Sequence, residues 1–206
     1  VTGVQTCALP IYFIREFEPR GIHEGDTWIT NDPWKGTGHL HDITVVTPTF
    51  RNGELVGFFA CTAHVVDIGG RGFGPDAREL YEEGLFIPLL KLFDRGVENE
   101  VLTTIIRNNV READQVLGDM FSLGACNDVG IRRLLEMMNE FDIDDLEELA
   151  EFIFDNSARA TAERLSVLKV GASAYNEMQL DGYDAPVTLA VTLSVDENGV
   201  NAGFPG

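Results

Sequence analysis

A single dipeptide, Asn52-Gly53, constrains the fold of this chain more than any other feature. It separates two runs, residues 43–50 and 55–66, that are rich in β-branched and aromatic side chains. Asn-Gly between two such runs is the strongest short-range signal for a β-hairpin, because its tight turn needs positive φ angles at both central residues. The sequence therefore predicts a long antiparallel hairpin.

The sequence alone leaves the register of this hairpin open. If the Asn-Gly pair is central, counting back pairs His41 with His64 and turns Asp42 to the other face of the sheet. Pro48 cannot donate a ladder hydrogen bond, which is compatible with a bulge at that point. One extra residue would pair Asp42 with His64 instead.

The rest of the chain alternates between helical and extended patterns. From residue 97 the apolar residues recur at helical spacing, and Asp144 followed by Glu147 predicts a capping box at the start of a further helix. After Gly171 the pattern alternates again, and residues 196–199 form a second hairpin turn. We expect an α+β fold: antiparallel strands and hairpins carrying a metal site, a helical middle segment, and strands again at the C-terminal end.

Charge and hydropathy exclude several classes of partner. The net charge is −19, so the chain would repel the phosphates of nucleic acids and of anionic membranes. No apolar run approaches the roughly 20 residues that a membrane-spanning helix requires. The chain has three cysteines, an odd number, and none of them form a Cys-x-x-Cys motif. This pattern favours a protein of the reducing cytoplasm without a disulfide framework. We therefore expect a cytoplasmic protein with neither a nucleic-acid nor a membrane partner.

The first eleven residues, VTGVQTCALPI, match the translation of a common sequencing adaptor codon by codon. We expect residues 1–11 to be an adaptor-derived artefact that says nothing about the fold. Residues 12–206 are then expected to be a fragment of one larger domain, truncated at both ends.

Three of the four histidines lie between positions 39 and 64, each within three residues of an aspartate. His39 and Asp42 share one turn, and His64 arrives on the paired strand. Neutral imidazoles with one carboxylate are the ligands of catalytic zinc and of non-haem iron or manganese sites. The alternative is that these histidines are ordinary surface or hydrogen-bonded core groups.

Two further aspartates are candidate catalytic residues. Asp67 follows His64 by three positions and would either orient that imidazole or simply end the strand. Asp32 precedes Pro33 and fits a turn-forming role better than a ligand role. The chain has no Gly-x-Ser-x-Gly elbow, and Cys61 within a strand is interpreted as a small buried hydrophobic residue.

Four segments in order resemble the hydantoinase B/oxoprolinase family: GDTWITNDPW at 25–34, GHLHDITV at 38–45, AHVVDIGG at 63–70 and EEGLFIP at 82–88. The resemblance covers essentially residues 12–206. Members are subunits, or halves, of ATP-dependent amidohydrolases that open hydantoins, N-methylhydantoin, 5-oxoproline or lactams. Other relatives are subunits of ATP-dependent acetone and acetophenone carboxylases.

The resemblance implies a hetero-oligomer in which a hydantoinase A-type partner binds ATP and phosphorylates the carbonyl of the cyclic amide. The present chain would hold a divalent metal (Zn, Fe or Mn) through His39, Asp42 and His64. A carboxylase subunit and a non-catalytic scaffold subunit are the alternatives. The family also has an aspartate in an upstream Arg-Asp-Phe-Ser strand that is absent here, so this chain alone is expected to be inactive. The family more often has proline where this chain has His41.

Overall fold

The structure is a computed structural model that describes residues 9–36, 38–182 and 184–204. The chain divides into two compact units, Val1–Asp145 and Leu146–Gly206. Both combine helices with antiparallel strands, so the predicted α+β class is confirmed. None of the helices in the described ranges is both long and apolar enough to cross a membrane.

The first unit is built on a five-stranded antiparallel sheet with the strand order β3-β2-β1-β4-β5. A short 3-10 turn, Glu18–Arg20, follows the first helix. The elements in chain order are α1 (Leu9–Phe17), β1 (Thr27–Thr30), β2 (Asp42–Arg51), β3 (Glu54–His64), α2 (Leu80–Glu83), β4 (Leu90–Asp94), β5 (Val97–Glu98), α3 (Glu100–Asn109) and α4 (Ala113–Glu140).

The predicted hairpin is β2–β3, and its turn residues Asn52 and Gly53 have φ angles of 53° and 86°. The register shifts between Thr49 and Phe50 because β3 contains one extra residue, Val56, at that point. The shift confirms the bulged register. Pro48 lies outside the irregularity and pairs regularly with Phe58, so the predicted position of the bulge at Pro48 is wrong.

The larger hydrophobic core lies on one face of the sheet, where α3 and α4 contribute apolar side chains such as Ile106 and Met120. Burial of each large side chain contributes about 1.5–3 kcal/mol relative to leaving it exposed. The same cluster contains Leu40 and Val65, which are sequence neighbours of the site histidines. The segments that carry the candidate ligands are therefore anchored in the core.

The other face of the sheet is covered by α1. Phe13 and Phe17 stack on Trp28 with centroid distances of 5.9 and 5.0 Å. Residues 9–11 of the segment that matches the adaptor form the start of this helix. Residues 1–8 lie outside the described part of the chain, so the adaptor origin stays a prediction.

The second unit consists of α5 (Glu147–Leu165), β6 (Ser173–Leu180), β7 (Val187–Asp196) and β8 (Gly199–Gly203), with the strands in the order β6-β7-β8. The predicted turn at 196–199 is confirmed. The predicted capping box is wrong, because the N-cap of α5 is Leu146 and makes no side-chain capping bond. Asp144 instead lies 3.3 Å from the guanidinium of Arg51.

Candidate metal centre

The loop that carries His39 is held by the buried side chain of Asn31. Its amide nitrogen donates to the carbonyls of Leu40 and Leu85, both at 2.9 Å, and its amide oxygen accepts from the backbone N–H of Ile87 at 2.6 Å. These bonds tie the loop to the segment that precedes β4. A buried backbone group without a partner is costly, so one side chain fixes both segments together.

Asp32 organises the turn that follows β1. Its carboxylate accepts from the backbone N–H of Trp34 at 3.0 Å and lies 3.2 Å from the ammonium of Lys35. Its carbonyl accepts from the backbone N–H of Gly36 at 2.7 Å. These contacts are those of a turn-forming residue, and a catalytic role for Asp32 stays a prediction.

His39, Asp42 and His64 come together at one end of the β2–β3 hairpin. One ligand atom from each lies within 4.8 Å of the other two. The closest pair is His64 Nδ1 and Asp42 Oδ1 at 3.1 Å, and His39 Nδ1 lies 3.8 Å from the same oxygen. The cause is the register, because Asp42 begins β2 directly opposite the last residue of β3.

The donor set fits a divalent metal. Two imidazole nitrogens and one carboxylate oxygen are the ligands that zinc, iron(II) and manganese sites use. His39 Nδ1 is buried and has no hydrogen-bond partner among the residues that the structure describes. A buried polar atom without a partner costs about 1–3 kcal/mol, and a bound cation would provide the missing partner.

His41 lies beside this group but outside it. Its side chain is buried and stacks on the ring of His64 at a centroid distance of 5.3 Å. Its Nε2 atom is also buried without a partner in the described part of the chain. Burial, together with the nearby His64 and His39, lowers the pKa of His41, so the ring is neutral near pH 7. Of the two registers that the sequence left open, the observed one places Asp42, not His41, opposite His64.

Phe73, which carries no motif in the sequence, packs against the three histidines. Its ring makes edge contacts with those of His39, His41 and His64 at centroid distances of 5.8, 5.5 and 4.9 Å. Phe73 is itself 73% exposed, and the side chain of His64 remains 43% exposed beside it. The sequence signal that could have identified Phe73 is its position in a glycine-rich loop close after the His64 motif.

Asp67 fixes the loop that presents Phe73. Its carboxylate accepts from the backbone N–H of Gly69 at 3.1 Å, and from the backbone N–H and the guanidinium of Arg111. Burial raises the pKa of Asp67, but these N–H groups and the positive charge of Arg111 outweigh it, and the net pKa is lowered. The observed contacts are structural, and a catalytic role for Asp67 stays a prediction. No local sequence pattern around Arg111 indicates this contact.

We expect the stability contribution of Asp67 to depend on pH. Because its folded pKa lies below the ordinary 3.8, the contribution is complete above about pH 4 and is lost as the pH falls further. Asp67→Asn should therefore lower the free energy of unfolding by about 1–3 kcal/mol at pH 7, and by less at pH 3. Urea denaturation of both proteins across this range measures the difference. A difference that does not change with pH would contradict the assignment.

A second stability prediction concerns Gly70, where the same loop passes the backbone of α2. Gly70 has a φ of 56°, and a Cβ there would lie 2.5 Å from the carbonyl carbon and oxygen of Glu83. Gly70→Ala should cost about 2–4 kcal/mol in urea denaturation, because both the φ angle and the close approach resist a side chain. Gly72→Ala is the matched control, since Gly72 has a φ of 84° but no heavy atom within 4 Å. It should cost only about 1–2 kcal/mol, and equal losses would refute the contact argument.

The fold and the site together define an α+β protein whose antiparallel hairpin carries a His-Asp-His cluster. The sequence profile of the hydantoinase B/oxoprolinase family matches residues 4–206. The chain belongs to this family.

Relatives in the family are named for several activities. The chain is 32% identical over 185 residues to the beta subunit of the caprolactamase of Pseudomonas jessenii, with 88% of this chain and 32% of that protein aligned. It is 31% identical to a protein of Pseudomonas sp. (strain NS671) that is provisionally named as the B-type subunit of a D-/L-hydantoinase, with 100% of this chain and 37% of that protein aligned. It is also 31% identical to 5-oxoprolinase 1 of Arabidopsis thaliana, with 85% of this chain and 15% of that protein aligned. The chain thus spans about a third of the length of the two bacterial subunits.

Two solved structures share the fold. The ATP-dependent caprolactamase of Pseudomonas jessenii superimposes with a TM-score of 0.78 at 24% identity, covering 98% of this chain and 36% of that one. An acetone carboxylase superimposes with a TM-score of 0.78 at 18% identity, and the match covers 94% of this chain and 28% of that one. At these identities the likeness establishes the fold alone.

Proposed function

We propose that this chain is the metal-binding part of a B-type subunit of an ATP-dependent hydrolase of cyclic amides. The substrate is of the hydantoin, 5-oxoproline or lactam type, and a hydantoinase A-type partner binds ATP. The observation that carries the proposal is the convergence of His39, Asp42 and His64 in a member of a family whose named relatives hydrolyse such rings. The names of two relatives as subunits support the existence of a partner.

In this proposal the three side chains have separate roles. His39 and His64 bind a zinc, iron or manganese ion as neutral donors, and Asp42 supplies negative charge that partly balances the cation. A divalent metal in such a site polarises a carbonyl or phosphoryl oxygen, or lowers the pKa of bound water to about 7. Phe73 packs edge-on against the rings of His39 and His64, which helps to hold both imidazoles in place.

The test uses the full-length reading frame that contains this chain, co-purified with a hydantoinase A-type partner. The complex is assayed for ATP hydrolysis coupled to ring opening of hydantoin, 5-oxoproline and caprolactam. We expect coupled turnover with at least one ring, its loss after treatment with a chelator, and its recovery when zinc, manganese or iron(II) is returned. His64→Ala should prevent this recovery.

Three outcomes would contradict the proposal. Ring opening that persists in His64→Ala would exclude a catalytic metal on these ligands. Turnover of ketones with bicarbonate, but not of cyclic amides, would assign the chain to a carboxylase. Full activity without this chain would make it a scaffold. The cytoplasmic location inferred from the cysteines stays a prediction.

A further inference from the structure

A pair of cysteines lies where α4 packs on the sheet, away from the histidine cluster. Cys61 belongs to β3 and Cys126 belongs to α4. The two elements are in close contact, because a Cβ at Gly130 of α4 would lie 2.5 Å from the ring of Phe59 on β3. On the same helix Asn127 is buried and donates to the carbonyl of Val45 at 3.3 Å. The turn of α4 that follows Cys126 is therefore packed closely against the sheet.

The two thiols are adjacent. Cys61 Sγ donates to the carbonyl of Leu123 at 3.3 Å, and Leu123 lies one helical turn before Cys126. Cys126 lies close enough to contribute to the raised pKa of the Cys61 thiol. Both cysteines are free, Cys61 is half-buried and Cys126 is exposed.

We propose that Cys61 and Cys126 are an oxidation site, at which hydrogen peroxide converts two free thiols into a disulfide that ties α4 to β3. The inference does not depend on the proposed function. Cytoplasmic thiols are normally kept reduced, and two neighbouring thiols can form an intramolecular bond when a peroxide is present.

The surroundings of the two thiols set the order of the reaction. Burial raises the pKa of Cys61 to about 11, and Cys126 contributes to this rise, so Cys61 is a neutral thiol near pH 7. Cys126 is exposed to solvent, so we expect the peroxide to reach it first. Its sulfur attacks the peroxide, the O–O bond breaks, and Cys126 becomes a sulfenic acid with release of water.

In the second step the sulfur of Cys61 attacks the sulfenic sulfur of Cys126. The S–S bond forms, the S–O bond breaks, and the proton of Cys61 leaves with the hydroxyl as a second water. In sum, two thiols and one hydrogen peroxide give one disulfide and two waters. The two electrons that the sulfurs lose reduce the peroxide.

The experiment uses the whole chain with Cys7→Ser, so that only the two described thiols remain. The folded protein is treated with hydrogen peroxide, and free thiols are counted before and after with a chromogenic disulfide reagent. We expect the count to fall from two to none per chain, with a mass loss of two hydrogen atoms that a reductant reverses. Peptide mapping should recover residues 61 and 126 in one cross-linked species. A chain that keeps its Cys61 thiol while Cys126 gains oxygen atoms or links two chains would overturn the proposal.

A matched control moves one cysteine around the helix. The variant Cys126→Ser with Ala125→Cys keeps the number of thiols and an exposed position on α4, but turns the sulfur by about 100°. We expect it to form at least about tenfold less intramolecular disulfide than the Cys7→Ser parent when folded. Both proteins should cross-link alike in denaturant. Equal cross-linking of the two folded proteins would show that the contact between Cys61 and Cys126 is not the cause, and would overturn the inference.

Discussion

His64→Ala should lower the affinity of the chain for a divalent metal by more than about 100-fold. The reason is the geometry of the cluster, in which each of three residues offers one ligand atom. Without the imidazole of His64 only His39 and Asp42 remain, and both come from the one turn that leads into β2. Two donors from one turn hold a cation weakly, whereas a third donor from the opposite strand closes the site. Metal content after gel filtration, and competition with a chelating dye, measure the loss.

His23→Ala is the matched control for this prediction. His23 lies outside the cluster, where its ring contacts Arg95 at 3.3 Å and Asp26 at 3.8 Å. Its replacement should leave metal affinity unchanged within about twofold, because the ligand set is complete without it. If both variants lost metal equally, binding would reflect the general histidine content and not this site.

Asn31→Ala should cause the largest loss of stability. The substitution leaves the carbonyls of Leu40 and Leu85 and the N–H of Ile87 without their observed partners. Each buried group left unpaired costs about 1–3 kcal/mol, so we expect a loss of about 3–5 kcal/mol in the free energy of unfolding. That loss is comparable with the whole stability of a small domain, about 5–15 kcal/mol. Urea denaturation monitored by the fluorescence of Trp28, which is buried in the same sheet, measures it.

Asn108→Ala is the control for the asparagine substitution. Asn108 is exposed, and its amide donates to the carbonyl of Thr104 at 2.8 Å in the same helix. Water can replace that bond, so the variant should stay within about 0.5 kcal/mol of the wild type. A comparable loss in both variants would show that Asn31 does not tie the loop to the sheet.

The local parts of the fold could be predicted from the sequence because their causes are local. The Asn52-Gly53 turn fixes the hairpin, and the alternation of side chains along it places successive residues in two different cores. His39 and Asp42 share one short loop, so their proximity follows from chain connectivity. Predicting that Asp42 pairs with His64 requires one further fact, which is that a bulge shifts the register of the hairpin by one residue.

The features that sequence reasoning missed depend on contacts between distant segments. The position of the bulge is one of them, because it was expected at Pro48 but is formed by Val56 on β3, a residue type that gives no signal for it. The partner of Asp67 is Arg111, which lies 44 positions away, in the short link between α3 and α4. Phe73 reaches the histidines because backbone contacts such as that at Gly70 fold its loop back. Tertiary packing determines all of these, and local patterns do not encode it.

The central claim is that Asp42 binds the metal together with His39 and His64, and that His41 does not. Metal content per chain of Asp42→Asn and of His41→Pro, measured by elemental analysis after reconstitution, tests it most directly. An amide is a much poorer ligand than a carboxylate, so Asp42→Asn should retain little metal. His41→Pro should retain about one metal per chain, because proline keeps the carbonyl that accepts from Val65 at 2.8 Å. Full metal in Asp42→Asn with none in His41→Pro would contradict the claim.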